Sequence, residues 1–194
     1  MARPLPHDDA LRITLVELAS QAVVDGGVQA LSLRTLAAAA GTTTAAIYTL
    51  FGGRDGLLRA VVDEGFRRFA SYLDTVPLST DPGADLLALG VAYRQNALAN
   101  PHFYRVMFAG GHPGDSADEP GVPPVARPTF GVLRDAVARL PREGAGAGSD
   151  PTDVALGLWA LVHGLVSLEL AGLLPGPPDE RARRYVETLR AARG

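Results

Sequence analysis

Residues 33–51 read LRTLAAAAGTTTAAIYTLF, and this stretch constrains the fold more than any other. Two short alanine-rich segments flank a glycine and three consecutive threonines. Threonine is a poor helix-interior residue and a good helix cap. The pattern predicts a helix over 33–40 with Ser32 at its N-cap. A left-handed turn follows at Gly41, and a third helix begins after an N-cap at Thr42 or Thr43 and runs to about Leu50. Ahead of it, a first helix spans Asp8 to Asp25. Asp8 and Asp9 are expected to cap its start, Leu11, Leu15, Leu18, Ala22 and Val23 to form its buried face, and Gly26-Gly27 to stop it. Helix, glycine turn, helix with about three residues between is the helix-turn-helix layout.

The rest of the chain is read the same way. Nothing alternates with period two over a strand length. Segments 57–73, 84–100, 129–140, 152–174 and 179–192 carry helical spacing. In 57–73, Leu58, Val61, Val62, Phe66, Phe69 and Leu73 mark one face of an amphipathic helix. The fold class is therefore all-α: an N-terminal three-helix helix-turn-helix domain over 1–55, then a helical bundle over 56–194. Breaks rich in proline and glycine separate the segments. A long loop is expected at 110–128 and a flexible linker at GAGAGS, 144–149.

With 194 residues and 47% hydrophobic content, the chain can bury a real core. No apolar run spans a membrane without polar or glycine interruption; 154–174 carries Gly157, His163, Gly164, Ser167, Glu169 and Gly172, and is read as a buried helix. There is no cysteine, so disulfides and thiolate metal sites are excluded. The N-terminal MARPLPHDDA has no signal-peptide character, and a cytoplasmic location is expected. All the basic residues are arginine, and the net charge is −3.

A net negative chain argues against a general nucleic-acid coat, but the local field on one face matters more for DNA. Between Asp25 and Asp55 no acidic residue occurs, and the only charges are Arg34 and Arg54. In a helix-turn-helix the N-terminus of the second helix enters the major groove, and that is where the threonines sit. One threonine caps, while the others offer hydroxyls to phosphates and methyls to thymine. The candidate DNA-binding set is Arg34, Thr42, Thr43, Thr44, Tyr48, Thr49 and Arg54. The same pattern also fits threonines that only cap a helix in a small helical protein.

From Asp25 to Leu58, DGGVQALSLRTLAAAAGTTTAAIYTLFGGRDGLL resembles the TetR family of bacterial repressors without a gap. The resemblance implies a homodimer on an operator in double-stranded DNA, released by an inducer held in the C-terminal helices. It implies that Thr43 caps the recognition helix and touches phosphate, and that Thr44, Ala45 and Tyr48 face the groove or its walls. Thr49 stands where the family often has a phosphate-binding tyrosine, and Leu50 where it often has a histidine. Arg54 matches a lysine that holds phosphate at the start of the fourth helix. Ile47 and Phe51 belong to the small core. Trp159, His163 and Gly164 in WALVHG are similar to the W-x-x-x-H-G signature of one C-terminal subfamily.

The second half offers a candidate ligand site at Phe103, Tyr104, Met107, Trp159 and His163. Trp159 and His163 are one helical turn apart. They fit either a pocket lining, with His163 supplying a hydrogen bond, or a core with a satisfied histidine. Phe103, Tyr104 and Met107 fit core and pocket alike, and an apolar or aromatic small molecule is expected. Gly157, Ala160, Gly164, Ser167 and Ala171 form a small-residue stripe at 3–4 spacing that permits close helix packing. With the face of Ala182, Tyr185, Val186 and Leu189, it predicts a four-helix homodimer interface.

His7, His102, His112 and His163 show no metal-binding spacing, and no nucleophile motif or close carboxylate pair is present. No enzyme, cofactor, metal or membrane association is expected. The function expected is a dimeric DNA-binding transcriptional regulator, a repressor released by a small ligand. The rival is a helical small-molecule- or partner-binding protein that has lost DNA binding.

Overall fold

The structure is a computed structural model, and it describes residues 6–108, 126–141 and 150–192. Among the described residues there are nine α-helices, one 3₁₀ turn and no strand. In order they are α1 (Pro6–Gly26), the 3₁₀ turn (Val28–Ala30), α2 (Leu33–Ala39), α3 (Thr44–Phe51), α4 (Arg54–Leu73) and α5 (Pro82–Ala99). Then follow α6 (Pro101–Met107), α7 (Arg127–Ala138), α8 (Pro151–Leu170) and α9 (Pro178–Ala191). The all-α expectation holds.

Several boundaries moved for local reasons. α1 begins at Pro6, so Asp8 and Asp9 lie inside its first turn rather than capping it, where they face the positive end of the helix dipole. α8 stops at Leu170 instead of 174. Gly172 takes φ 71° there, and the amide of Leu173 donates to the carbonyl of Leu168 at 3.0 Å. This is a Schellman ending. The short helix α6 follows Asn100-Pro101, and its two turns are too few to show a full period in the sequence. The expected linker at 144–149 and residues 110–125 of the expected loop lie outside the described residues; α7 begins at Arg127.

The chain forms two compact units. One is Met1–Arg67 with His102–Gly121, and the other is Arg68–Pro101 with Val122–Gly194. In the first, α1 packs on the 3₁₀ turn and on α2, and α2 packs on α3. The buried face of α1 is Leu15, Val16, Ala19, Ser20 and Val23. It is rotated from the expected face, since Leu11, Leu18 and Ala22 are only half-buried. Gly65 brings α6 against α4: a Cβ there would lie 2.7 Å from Met107 Cγ.

In the second unit α5 is central, touching α7, α8 and α9, while α8 also packs on α7 and α9. Tyr185 donates its hydroxyl to the Gly90 carbonyl at 2.7 Å, and a Cβ on Gly90 would come within 2.6 Å of Leu189. Tyr185 and Leu189 are thus buried against α5 of their own chain, not left open for a second copy as the sequence pattern predicted. α8 is long and apolar enough to cross a membrane by length and composition, and it is not the buried helix the sequence predicts: one face, with Ala155, Val162, Val166 and Glu169, packs within this unit, and much of the rest is open.

Candidate nucleic-acid interface and ligand cluster

The three threonines have three different positions. Gly41 takes φ 64°, and the Thr42 amide donates back to the Ala37 carbonyl at 2.8 Å, closing the end of α2. Thr43 is the N-cap of α3, and its hydroxyl accepts from the Ala46 amide at 3.2 Å. Thr44 is the exposed first residue of α3. Ser32 caps α2 as expected, accepting from the Thr35 amide. The turn between α2 and α3 is therefore capped on both sides, which fixes the direction of α3 by backbone chemistry.

The outward face of this region carries Arg34, Thr43, Thr44, Ala45, Tyr48 and Thr49, all exposed, with Thr42 half-buried. Tyr48 is 60% exposed. Its ring lies on the turn after α3: a Cβ on Gly53 would sit 3.1 Å from Tyr48 Cε1. Gly52 and Gly53 both have positive φ, 74° and 114°, a conformation that favours glycine, and only at Gly53 does the Tyr48 ring also crowd a side chain. Thr49 donates its hydroxyl to the Ala45 carbonyl at 3.0 Å. Arg34 has no hydrogen-bond or ion-pair partner among the described residues. Ile47 is fully buried and Phe51 half-buried, in keeping with core roles.

Two arginines behave differently. Arg54 donates from Nε to the Leu31 carbonyl at 3.4 Å and from Nη2 to the Val28 carbonyl. Arg12, which the sequence pattern did not single out, donates to the Leu50 carbonyl at 3.2 Å and lies 4.7 Å from the centre of the Phe51 ring. Thirty-eight residues separate Arg12 from Leu50, so no local motif could have signalled the pair.

Of the expected ligand residues, Trp159 and His163 lie in the second unit, with ring centres 6.4 Å apart on α8. Trp159 also meets Phe130 of α7 at 5.8 Å. His163 Nδ1 shares a 3.0 Å hydrogen bond with the Tyr93 hydroxyl, its direction following the imidazole tautomer. Tyr93 in turn stands edge-on to Phe69 at 5.1 Å. Burial pushes the His163 pKa down, favouring the neutral ring. Phe103, Tyr104 and Met107 are buried on α6 in the first unit.

Two further polar clusters stiffen the second unit. Arg94 grips Glu169 with two bonds of 2.7 Å, and Arg181 Nε lies 3.3 Å from the same carboxylate. The Arg94 hydrogen bonds hold the Glu169 pKa down against the opposing effect of burial. Asp85 accepts from the Ser79 amide and hydroxyl and from Arg139, and its pKa is lowered to about 2, mainly by the Ser79 bonds. No group of three or more metal-ligating side chains occurs among the described residues.

A capped helix-turn-helix with an acid-free exposed end is the arrangement of a DNA-binding regulator. Residues 15–61 match the profile for bacterial regulatory proteins of the tetR family, and residues 86–190 match that of the tetracyclin repressor-like C-terminal domain. The chain belongs to the TetR family. The C-terminal description names no W-x-x-x-H-G subdivision.

Among relatives, the HTH-type transcriptional regulator Rv1816 of Mycobacterium tuberculosis is 27% identical over 133 residues, 67% of this chain and 57% of that protein. The match thus spans little more than half of that relative's length. A solved structure described as a candidate regulatory protein, SCO4313, is 27% identical, covers 98% of each chain and has a TM-score of 0.74. The fatty acid degradation regulator FadR from Bacillus halodurans shares the fold, with a TM-score of 0.72 at 15% identity over 97% of this chain and 96% of that one.

Proposed function

We propose that the protein is a homodimeric, cytoplasmic repressor. In this reading it binds a pseudo-palindromic operator through α3 and leaves it when a small apolar or aromatic molecule binds. One observation carries the reading: α3 and its N-cap present the exposed Thr43, Thr44 and Tyr48 inside a window without acidic residues. A polyanion requires such a face. Thr43 and Arg34 are assigned to phosphate, and Thr44 and Tyr48 to the groove. Thr42 and Thr49 lie at the edge of the interface. Thr49 must turn its hydroxyl away from Ala45 to reach phosphate.

The ligand seat is assigned to the aromatic cluster of the second unit, with Trp159 and His163 as contacts; a neutral His163 favours an uncharged partner. Phe103, Tyr104 and Met107 are assigned to the packing of α6. The second copy is proposed to cover α8. Leu156 and Leu168 are 51% and 43% exposed, and Gly157, Ala160 and Gly164 are exposed beside them. An apolar stripe with small residues suits a close helix pair. A ligand releases DNA only by favouring the DNA-incompetent state, with a coupling of about 1–3 kcal/mol. Helix α4 contributes residues to both units, which makes it the natural carrier.

The test is a fluorescence-anisotropy titration with the DNA upstream of the protein's own coding sequence, at two salt concentrations, against a scrambled duplex. Tight, salt-dependent and selective binding supports the reading. If neither this duplex nor any member of a randomised library is selected, the protein is a ligand- or partner-binding relative that has lost DNA binding.

A further inference from the structure

The segment that reads DNA in the proposed function is, topologically, a loop. It leaves the body of the first unit after Leu31, runs through α2 and α3, and returns at Arg54. The Arg54 guanidinium closes that loop at its base, bonding the carbonyls of Val28 and Leu31, 26 and 23 residues away. These carbonyls lie just before Ser32, the cap of α2. Arg54 itself is the first residue of α4, two residues past the end of α3 at Gly52. A planar guanidinium can serve two acceptors at once, whereas an ammonium is a point charge on a flexible stem. Arg54 is also only half-exposed, unlike Arg34.

We infer that Arg54 is a positioning residue for DNA recognition: it clasps the two ends of the α2–α3 loop and thereby sets the pose of the recognition helix. This rests on the reading that α3 contacts DNA. It departs from the phosphate role that resemblance implies for this position, and the two roles have different signatures. A phosphate contact acts on every sequence and adds to the salt dependence. A positioning contact acts on the base-reading geometry, so it affects the selected sequence and leaves the salt slope alone. Arg12 holds the Leu50 carbonyl at the other end of α3, so the recognition helix is framed by two backbone-directed arginines.

The experiment uses the full chain and its Arg54→Ala and Arg54→Lys variants, at a temperature where circular dichroism shows each to be folded. The probes are a duplex of about three helical turns, selected by the wild-type protein from a random library, and a scrambled duplex. Both variants are expected to bind the selected duplex about tenfold more weakly or worse, the scale of losing one base contact. They should bind the scrambled duplex as the wild type does and keep its slope of log K against log salt.

A slope reduced by about 0.9, with both duplexes weakened and lysine restoring binding, would overturn the inference and make Arg54 a phosphate contact. Unchanged binding of both duplexes by folded variants, or loss of folding in both variants, would also overturn it, leaving Arg54 a part of the fold alone. A wild-type protein that selects no duplex would refute the DNA-binding reading itself before any variant is made.

Discussion

Replacing Glu169 by Gln should destabilise the second unit by a large and specific amount. The Glu169 side chain is only 4% exposed and that of Arg94 only 13%, and two bonds of 2.7 Å join them. Glutamine preserves the volume but removes the charge and turns one acceptor into a donor facing a donor. The Arg94 guanidinium is then left charged, buried and half-satisfied. Breaking a buried pair in this way costs about 3–5 kcal/mol. For a chain of this size, that corresponds to a fall in Tm on the order of 10 °C.

The assay is thermal unfolding followed by the fluorescence of Trp159, the only tryptophan, which sits on the same helix as Glu169. The pH dependence follows from the lowered Glu169 pKa. The pair's contribution is complete above the unfolded carboxylate pKa and disappears as pH falls through the lower folded value, so the gap between wild type and variant should narrow in acid. A double variant, Glu169→Leu with Arg94→Met, should recover only part of the loss, because it removes the stranded Arg94 charge but leaves Arg181, 3.3 Å from the Glu169 carboxylate, without its partner. A single-variant cost below about 1 kcal/mol, the range of an exposed pair, would refute the reasoning.

Thr43→Ala should lower stability by about 1 kcal/mol through the lost cap, measured by urea unfolding, and weaken operator binding. Thr44→Val, which removes a hydroxyl at the exposed start of α3, should change the sequence preference in a random-duplex selection while barely moving the melting point. Asp85→Asn should destabilise the wild-type fold at neutral pH. Because the Asp85 pKa lies near 2, its contribution is present above the ordinary carboxylate range and is lost only as pH approaches 2, which an acid-unfolding series of wild type and variant would show. Ala160→Arg on the exposed stripe of α8 should shift the molecular mass in light scattering from dimer to monomer.

The local chemistry of this protein was readable in its sequence, while the long-range chemistry was not. Ser32 and Gly41 declare their roles through residue type, and the cap of α3 is narrowed to Thr42 or Thr43, since caps and left-handed turns are decided within four residues. Arg54 shows the limit. Its position and charge were evident, and resemblance pointed it at phosphate, yet its bonds reach carbonyls more than twenty residues away. Backbone acceptors carry no letter in a sequence. Tyr93 was missed for a related reason: it meets His163 across seventy residues. The pairing of Tyr185 and Leu189 with α5 rather than with a second copy was equally hidden, because amphipathic spacing marks a buried face without naming what buries it.

The arginine contacts at Leu31, Val28 and Leu50 have a consequence for how this protein can change. Each is made to a carbonyl that every amino acid supplies, so the frame around α3 is indifferent to the side chains of its own acceptors. The letters at Thr44, Ala45 and Tyr48 can be rewritten without touching a framing bond. Under the proposed reading of α3, a designer randomising those three positions inherits an intact holder with an exchangeable tip, and new target sequences become reachable without first repairing the scaffold.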